Sequence, residues 1–245
     1  MKTILLFLTL PLLLAAAAAQ QSGDPCQALK EKQQRVESTL RDWPNLTRYR
    51  EADAKLGSAT EESRVVFLGD SITENWNLSD SFPGKPYVNR GISGQTTPQI
   101  LLRFRQDVIA LKPAVVVILA GTNDIAENTG PTTLEAIEDN LTSMVELAQK
   151  NRIRVVLASV LPVERYPWHQ EIRPIEKIQT LNGWMKQYAG RVGVEFLDYY
   201  TAMADQKSGL KGGLGEDGVH PNRAGYAIMA DLAVKAIATA EGKKK

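Results

Sequence analysis

The stretch VFLGDSITENW, which runs from Val66 to Trp76, joins an apolar segment typical of a strand to a segment typical of a helix. Only Gly69-Asp70-Ser71 separates the two, so a small hydroxyl lies where the chain changes direction. This turn has two interpretations. Ser71 is either an ordinary helix cap, since Gly, Asp and Ser are common in turns, or a hydroxyl exposed for chemistry.

Beyond Arg64, short apolar and β-branched runs alternate with longer segments that have helical periodicity. Three of the runs are almost wholly apolar, as buried parallel strands are. The alternation predicts an α/β fold in which helices cover both faces of a parallel sheet. The predicted strands are Val65–Leu68, Tyr87–Asn89, Ala114–Ala120, Arg154–Val160 and Val194–Asp198.

The helices are predicted from apolar residues that recur every three or four positions, and we assign these residues to the core. Thr97 is expected to cap the first of these helices, and Pro98 suits its first turn. A capping box, Thr132-x-x-Glu135, precedes the second. The apolar stripes are Ile100/Phe104/Val108, Leu134/Ile137/Leu141/Val145, Ile175/Ile178/Leu181/Met185/Tyr188 and Tyr226/Met229/Ala233.

The composition fits one domain with a substantial core and argues against several classes of partner. The chain has 245 residues, of which 29 are Lys or Arg and 28 are Asp or Glu. This near balance gives no reason to expect nucleic acid or an anionic membrane surface as the partner. Cys26 is the only cysteine, so a disulfide within the chain is impossible and stability must come from the core.

The first residues have the form of a secretory signal peptide, with Lys2 ahead of an apolar stretch and Ala17-x-Ala19 as the cleavage site. The apolar stretch is too short to favour a membrane-spanning helix. We therefore predict a signal peptide over residues 1–19, a helical extension over 20–60 and the main domain over 61–241. Export to the periplasm or the medium follows, with no membrane anchor after cleavage.

Four polar clusters lie after predicted strands or ahead of the last helix. The carboxyl ends of parallel strands meet at one edge of a sheet, which is where sites form in open sheets of this kind. Four clusters that bring Ser, Gly, Asn and Asp with His to that edge are hard to explain as turns alone. They are Gly69-Asp70-Ser71, Asn89-Arg90-Gly91-Ile92-Ser93-Gly94, Gly121-Thr122-Asn123-Asp124 and Asp217-Gly218-Val219-His220.

The chemistry that needs this set of residues is acyl transfer. A serine hydroxyl is a weak nucleophile until a base takes its proton, and the chain has only two histidines, His169 and His220. Asp217 precedes His220 by three residues, close enough for its carboxylate to orient the imidazole, whereas His169 has no comparable acid nearby. We therefore predict Ser71 as the nucleophile, His220 as the base and Asp217 as the orienting acid.

The oxyanion of the tetrahedral intermediate in acyl transfer needs hydrogen-bond donors. The candidates are the backbone N–H of Ser71, the N–H of a glycine in the second cluster and the side-chain amide of Asn123. Asp70 is expected to shape its turn, and Asp124 to support the third cluster. No metal or other cofactor is expected, because the histidines and the cysteine form no closed coordination set and no Gly-x-x-x-x-Gly-Lys phosphate loop occurs.

The four clusters resemble the sequence blocks of the SGNH, or GDSL-type, hydrolase superfamily. FLGDSIT matches the first block, GISGQTT the second, GTND the third and DGVHPN the last, in the right order across residues 65–230. The middle blocks look most like those of the platelet-activating-factor acetylhydrolase catalytic subunits and related bacterial esterases. Two departures are visible: Ile72 replaces the leucine of the motif, and Gln95 stands where that branch often has aspartate.

This resemblance implies a flavodoxin-like three-layer α/β/α sandwich with a five-stranded parallel sheet, the SGNH hydrolase fold. It also implies that Gly94 is the oxyanion glycine, with Gly91 as the alternative. The expected activity is that of a serine esterase acting on short acyl esters, in particular O-acetyl esters, of small molecules or glycans. Because Gln95 departs from the branch, the substrate preference of that branch is not carried over.

Several alternatives stay open at this point. A lysophospholipase or thioesterase would use the same residues on a longer acyl group, and an inactive carbohydrate-binding relative would be expected to lack one of them. The Tyr166–His169 loop is either an exposed aromatic segment or a wall of the substrate cleft. The segment Gly209–Gly218 holds five glycines and is either plainly flexible or a hinge for His220.

Overall fold

The computed structural model describes residues 25–56 and 64–242. The predicted signal peptide, residues 1–19, lies outside the described residues. Helix α1 (Pro25–Arg41) belongs to a separate unit from the chain that begins at Asp42. This helix exposes Leu29, Val36 and Leu40. Within the two described ranges, no helix has both the length and the apolar character that a membrane-spanning segment needs.

The described part of the second unit is built on a five-stranded sheet in which all paired strands are parallel. This confirms the predicted α/β class and the predicted sheet. The observed strands end where pairing stops; Gly69, for example, is the last residue of its strand to pair, with Gly91 on one side and Leu119 on the other. In the order β2-β1-β3-β4-β5, the strands are β1 (Val65–Gly69), β2 (Tyr87–Gly91), β3 (Val115–Leu119), β4 (Arg154–Ala158) and β5 (Glu195–Leu197).

Successive residues of the strands point to opposite faces, and each face has its own apolar core. Val66 and Leu68 of β1 pack with the helices on one face, whereas Val65 and Phe67 pack with the helices on the other. The result is the predicted three-layer sandwich. The remaining helices are α2 (Arg50–Lys55), α3 (Ser71–Glu74), α4 (Leu78–Ser81), α5 (Thr97–Asp107), a 3₁₀ helix (Ile109–Leu111), α6 (Thr122–Ile125), α7 (Leu134–Lys150), α8 (Ile175–Val192), α9 (Tyr199–Met203) and α10 (Arg223–Gly242).

Two helix caps differ from the predicted ones by one residue. Thr96, not Thr97, precedes α5, and the side chain of Gln99 accepts the N–H of Thr96. The cap of α7 is Thr133, not Thr132, and its hydroxyl accepts the N–H of Ala136 at 3.2 Å. The prediction for Thr97 was wrong because its hydroxyl and N–H both bind a carboxylate 27 residues away, a contact that local periodicity does not reveal.

Residues 42–56 make several polar contacts with the end of β2. The hydroxyl of Tyr49 donates to the carbonyl of Gly91, and the carboxylate of Asp53 accepts from the guanidinium of Arg90. The guanidinium of Arg90 also lies over the Tyr49 ring, 4.5 Å from its centroid. This segment therefore packs against the carboxyl end of β2, close to the second polar cluster.

Candidate active site

Ser71 is positioned by the sharp turn between β1 and α3. A side chain at Gly69 would collide with Thr73 and with the carbonyl of Leu119, so only glycine fits at the end of the strand. The buried Asp70 then caps α3, its Oδ1 accepting the N–H of Ile72 at 3.0 Å. Ser71 is the first residue of the helix. Its hydroxyl and backbone N–H therefore lie at the carboxyl edge of the sheet.

The structure brings the three predicted members of the acyl-transfer set together. The Oγ atom of Ser71 lies 2.9 Å from Nε2 of His220, although the two residues are 149 positions apart in the chain. The Nδ1 atom of His220 lies 2.6 Å from Oδ2 of Asp217. A hydroxyl, an imidazole and a carboxylate are therefore hydrogen-bonded in the order that activates a serine.

Several donors hold the carboxylate of Asp217 in its ionised form. Its Oδ1 accepts the backbone N–H groups of Val219 and His220, at 2.9 and 2.8 Å, while Oδ2 faces the imidazole. Partial burial by itself would raise the pKa of Asp217, but these hydrogen bonds outweigh it and lower the pKa below its ordinary value. The carboxylate is thus available to stabilise an imidazolium at neutral pH.

The loop that carries His220 is tied to the start of α10. Asn222 accepts the N–H of Ala224 through Oδ1 and donates from Nδ2 to the carbonyl of Gly213. A side chain at Gly215 would collide with the carbonyl of His220, so the chain passes itself closely here. These contacts do not distinguish plain flexibility of Gly209–Gly218 from a hinge for His220, but they show that Gly215 allows close packing beside the histidine.

The two glycine candidates for the oxyanion site differ in the use of their N–H groups. The N–H of Gly91 is donated to Oδ1 of Asn89 at 2.8 Å, and the Gly91 carbonyl accepts the Tyr49 hydroxyl. Gly94 is exposed and has φ +77°, a conformation that favours glycine. The geometry therefore favours Gly94 over Gly91 as a donor to a ligand.

Asn123 is buried in α6, just after β3. Its Nδ2 donates to the carbonyl of Gln95 at 3.0 Å, and its Oδ1 accepts from Nδ2 of Asn128 at 2.8 Å. Next to it, Asp124 accepts the N–H and the hydroxyl of Thr97. Burial raises the pKa of Asp124 to about 6, against these hydrogen bonds. Asp124 therefore joins the third cluster to the start of α5, as expected for a supporting residue.

The aromatic loop after β4 forms one side of the site. Trp168 is 42% exposed, and its ring centroid lies 6.1 Å from that of His220. Tyr166 is buried and donates its hydroxyl proton to the carbonyl of Thr122. His169 contacts the carbonyl of Ala126 through Nδ1. Of the two open interpretations, a cleft wall is favoured, and Trp168 rather than His169 is the residue beside the His220 imidazole.

Two residues near the site were not assigned from the sequence. Asn128 follows the GTND block by four residues and binds the side chain of Asn123. Because asparagine is common in turns for local reasons, no signal of this contact is visible in the sequence. Trp168 lies in the loop that follows the carboxyl end of β4. That position was the only sign in the sequence that it lines the site. Within residues 25–56 and 64–242, no group of three or more His, Cys, Asp or Glu side chains is arranged to hold a metal ion.

Comparison with known proteins places this site in a family. The model of the GDSL-like lipase/acylhydrolase family matches residues 67–228. The crystal structure of a GDSL-like lipase from Bacteroides thetaiotaomicron superposes with a TM-score of 0.78 at 46% identity, covering 81% of this chain and 100% of that one. An acetylxylan esterase from Geobacillus stearothermophilus is 30% identical over a 210-residue alignment that covers 72% of this chain and 93% of that protein.

A further relative is an uncharacterized lipoprotein from Bacillus subtilis, 32% identical over 118 residues. The matched region is 40% of this chain, which spans about half (49%) of the length of that lipoprotein. The family match covers all four polar clusters, from the strand before Ser71 to the helix after His220. The chain therefore belongs to the GDSL-like lipase/acylhydrolase family of carboxylic ester hydrolases.

Proposed function

We propose that the chain is an exported serine esterase that hydrolyses short acyl esters through a covalent acyl-enzyme on Ser71. The observation that carries the proposal is the hydrogen-bonded series from Ser71 Oγ through the His220 imidazole to the Asp217 carboxylate. An ordinary surface pair of Asp217 and His220 gives no reason for Nε2 to lie 2.9 Å from a hydroxyl on another loop. A nucleophile, its base and an orienting acid require that arrangement.

In the proposed reaction, Ser71 Oγ attacks the ester carbonyl carbon while its proton passes to Nε2 of His220. The N–H groups of Ser71 and Gly94 and the amide of Asn123 hold the oxyanion that forms. The C–O bond then breaks, and the alcohol leaves with the proton from His220. Water attacks the acyl-enzyme, gives its proton to Nε2, and the acid is released as Ser71 regains its hydrogen.

The substrate class we propose is an O-acetyl ester on a glycan. The relative that supports it is the acetylxylan esterase, which this chain covers over 93% of its length. Export would bring the enzyme to polysaccharide, and it is supported by the signal-peptide pattern of residues 1–19 and by the lipoprotein relative. An exposed indole beside the histidine, that of Trp168, offers a surface on which a sugar ring could pack.

The test is labelling with a fluorophosphonate and mass spectrometry, combined with p-nitrophenyl esters from acetate upward and acetylated xylo-oligosaccharides. We expect the label on Ser71, and we expect Ser71→Ala to lower kcat on the order of 10⁴-fold or more without lowering the melting temperature. Ser143→Ala is the matched control, because this α7 hydroxyl donates only to the local Asp139 carbonyl. The control should keep both the label and the activity.

Each alternative predicts a different result of the same assay. Substantial turnover by Ser71→Ala would exclude Ser71 as the nucleophile. A rate that rises steadily with acyl length would favour a lysophospholipase or thioesterase. Glycan binding by a protein that is neither labelled nor active would favour the carbohydrate-binding relative.

A further inference from the structure

A series of side-chain hydrogen bonds connects the exposed wall of the site with the buried Asn123 amide. The indole Nε1 of Trp168 donates to Oδ1 of Asn128 at 3.0 Å. Nδ2 of Asn128 donates to Oδ1 of Asn123 at 2.8 Å, and Nδ2 of Asn123 donates to the carbonyl of Gln95 at 3.0 Å. The proposed mechanism uses only Asn123 of these residues.

The chemistry of the first donor fixes the direction of the whole series. An indole N–H donates and cannot accept, so the Asn128 atom that faces Trp168 must be the oxygen. The amide nitrogen of Asn128 then faces Asn123, whose own oxygen must accept from it. The Nδ2 atom of Asn123 carries two hydrogens, and one of them is donated to the Gln95 carbonyl. The other is left for a ligand.

The alternative orientation of the Asn123 amide would be costly. Only 2% of Asn123 is exposed, so water cannot replace a lost partner. A flipped amide would set its oxygen against the Gln95 carbonyl and would set its nitrogen against the nitrogen of Asn128. It would also present an oxygen, not an N–H, to the developing negative charge.

Asn128 touches the second donor loop as well. Its Nδ2 lies 3.5 Å from the carbonyl of Gly94, at the outer limit of a hydrogen bond. One amide nitrogen therefore faces two of the three residues that we assign to the oxyanion site, Gly94 and Asn123. A carboxylate in its place would face two carbonyl oxygens.

We propose that Trp168 and Asn128 are positioning residues that fix the polarity of the Asn123 amide, so that its free N–H is aligned before the substrate arrives. This inference rests on the proposed function, since it assumes an oxyanion at Asn123. It gives Trp168 two tasks. Its ring forms the wall beside His220, and its N–H orients the Asn123 amide through Asn128.

Four variants test the series. For each, kcat and KM are measured with p-nitrophenyl acetate, and the affinity for phenylboronic acid is measured as inhibition of that turnover. Boronate forms a tetrahedral adduct on the serine and so reports the oxyanion site. Asn123→Ala should lower kcat about 10²-fold, as loss of one oxyanion donor does. Asn128→Ala and Trp168→Phe should each lower kcat by about 3- to 10-fold, less than Asn123→Ala does, because they keep the Asn123 donor and remove only a hydrogen bond that positions it.

The decisive comparison is Asn128→Asp against Asn128→Ala. Aspartate keeps the acceptor for Trp168 but puts a second acceptor against Asn123 and Gly94, so it should lower kcat about tenfold more than alanine does. Boronate affinity should fall in parallel, while KM and the melting temperature change little. In the Asn128→Ala background, Trp168→Phe should not lower kcat further, because the acceptor of the Trp168 N–H has already been removed.

Matched controls are Trp184→Phe and Asn151→Asp, which make the same chemical changes on α8 and at the end of α7. Both should keep wild-type kcat. If Asn128→Asp is as active as Asn128→Ala, or if the Trp168 and Asn128 effects simply add, the positioning role is wrong. Failure of the proposed function looks different: in that case Ser71→Ala keeps its turnover or Asn123→Ala changes nothing.

Discussion

At the scale of single residues, the place of each group in the hydrogen-bonded series predicts how much activity its loss removes. His220→Ala takes away the only base and should lower kcat on the order of 10⁶-fold. Asp217→Asn should lower it less, on the order of 10⁴-fold, because an amide can still pack beside the ring but favours the wrong tautomer. Steady-state kinetics on p-nitrophenyl acetate would check this order, and an Asp217→Asn loss equal to that of His220→Ala would contradict it.

A second residue-scale prediction concerns Asp70, which is buried and leaves Oδ2 without a partner. Burial, opposed by the N–H of Ile72, raises the pKa of Asp70 from 3.8 to about 7. The native state then binds more protons than the unfolded state between about pH 4 and pH 7, so the free energy of unfolding should fall as pH rises through this window. The raised pKa corresponds to on the order of 4 kcal/mol.

Urea unfolding between pH 4 and pH 8 would measure this dependence. Asp70→Asn mimics the neutral carboxyl and should flatten the profile, leaving the smaller slope that Asp124 contributes up to about pH 6. An unchanged slope in Asp70→Asn would show that Asp70 is ionised in the native protein at low pH.

At the scale of elements, the contact between β2 and α3 sets where the nucleophile lies. A Cβ at Gly91 would collide with the backbone of Glu74, so Gly91→Ala must push α3 away from the sheet. We expect the variant to lose about 3 kcal/mol or more of unfolding free energy, in the range of severe core substitutions, together with most of its activity. Urea unfolding and kcat would both be measured.

Gly183→Ala is the matched control for this substitution. Gly183 lies within α8, and a Cβ there meets no atom within 4 Å. Alanine favours a helix over glycine by up to about 1 kcal/mol, so the control should be as stable as the wild type or more stable. Equal destabilisation by both variants would mean that the β2–α3 contact has no special role.

At the scale of the whole molecule, the fully buried Arg103 joins elements on either side of the site. Its guanidinium donates to the carbonyls of Gly69 and Arg90, near the ends of β1 and β2, and pairs with Asp107 at 2.7 Å. It also donates to the side chain of Gln95. One cation from α5 therefore holds the two loops that carry Ser71 and Gly94.

Arg103→Met should cost about 3–5 kcal/mol of unfolding free energy, because it leaves Asp107 buried without its partner. The double variant Arg103→Met/Asp107→Leu should recover part of the stability, since no charge is then buried. It should not recover kcat, because the strand-end carbonyls stay unpaired and the two loops lose their common support. Full activity in the double variant would argue against this role.

The sequence by itself determined the class of the fold, and it predicted the groups that we propose to react. Apolar runs such as Val115–Leu119 are buried whatever the details of packing, because hydrophobic burial depends on composition and period rather than on exact contacts. With only two histidines, and an acid three residues before one of them, Asp217 and His220 could also be chosen from local spacing.

Only the tertiary structure decided which atoms meet across distant loops. Three such contacts follow from how the strand ends are brought together. Thr97 donates to Asp124, the N–H of Gly91 is donated to Asn89, and Asn128 donates to Asn123. A hydrogen bond depends on distances of a few tenths of an ångström and on direction, and neither periodicity nor composition carries that information. The polarity of the Asn123 amide is decided at this level, because it depends on a tryptophan 45 residues away whose N–H can only donate.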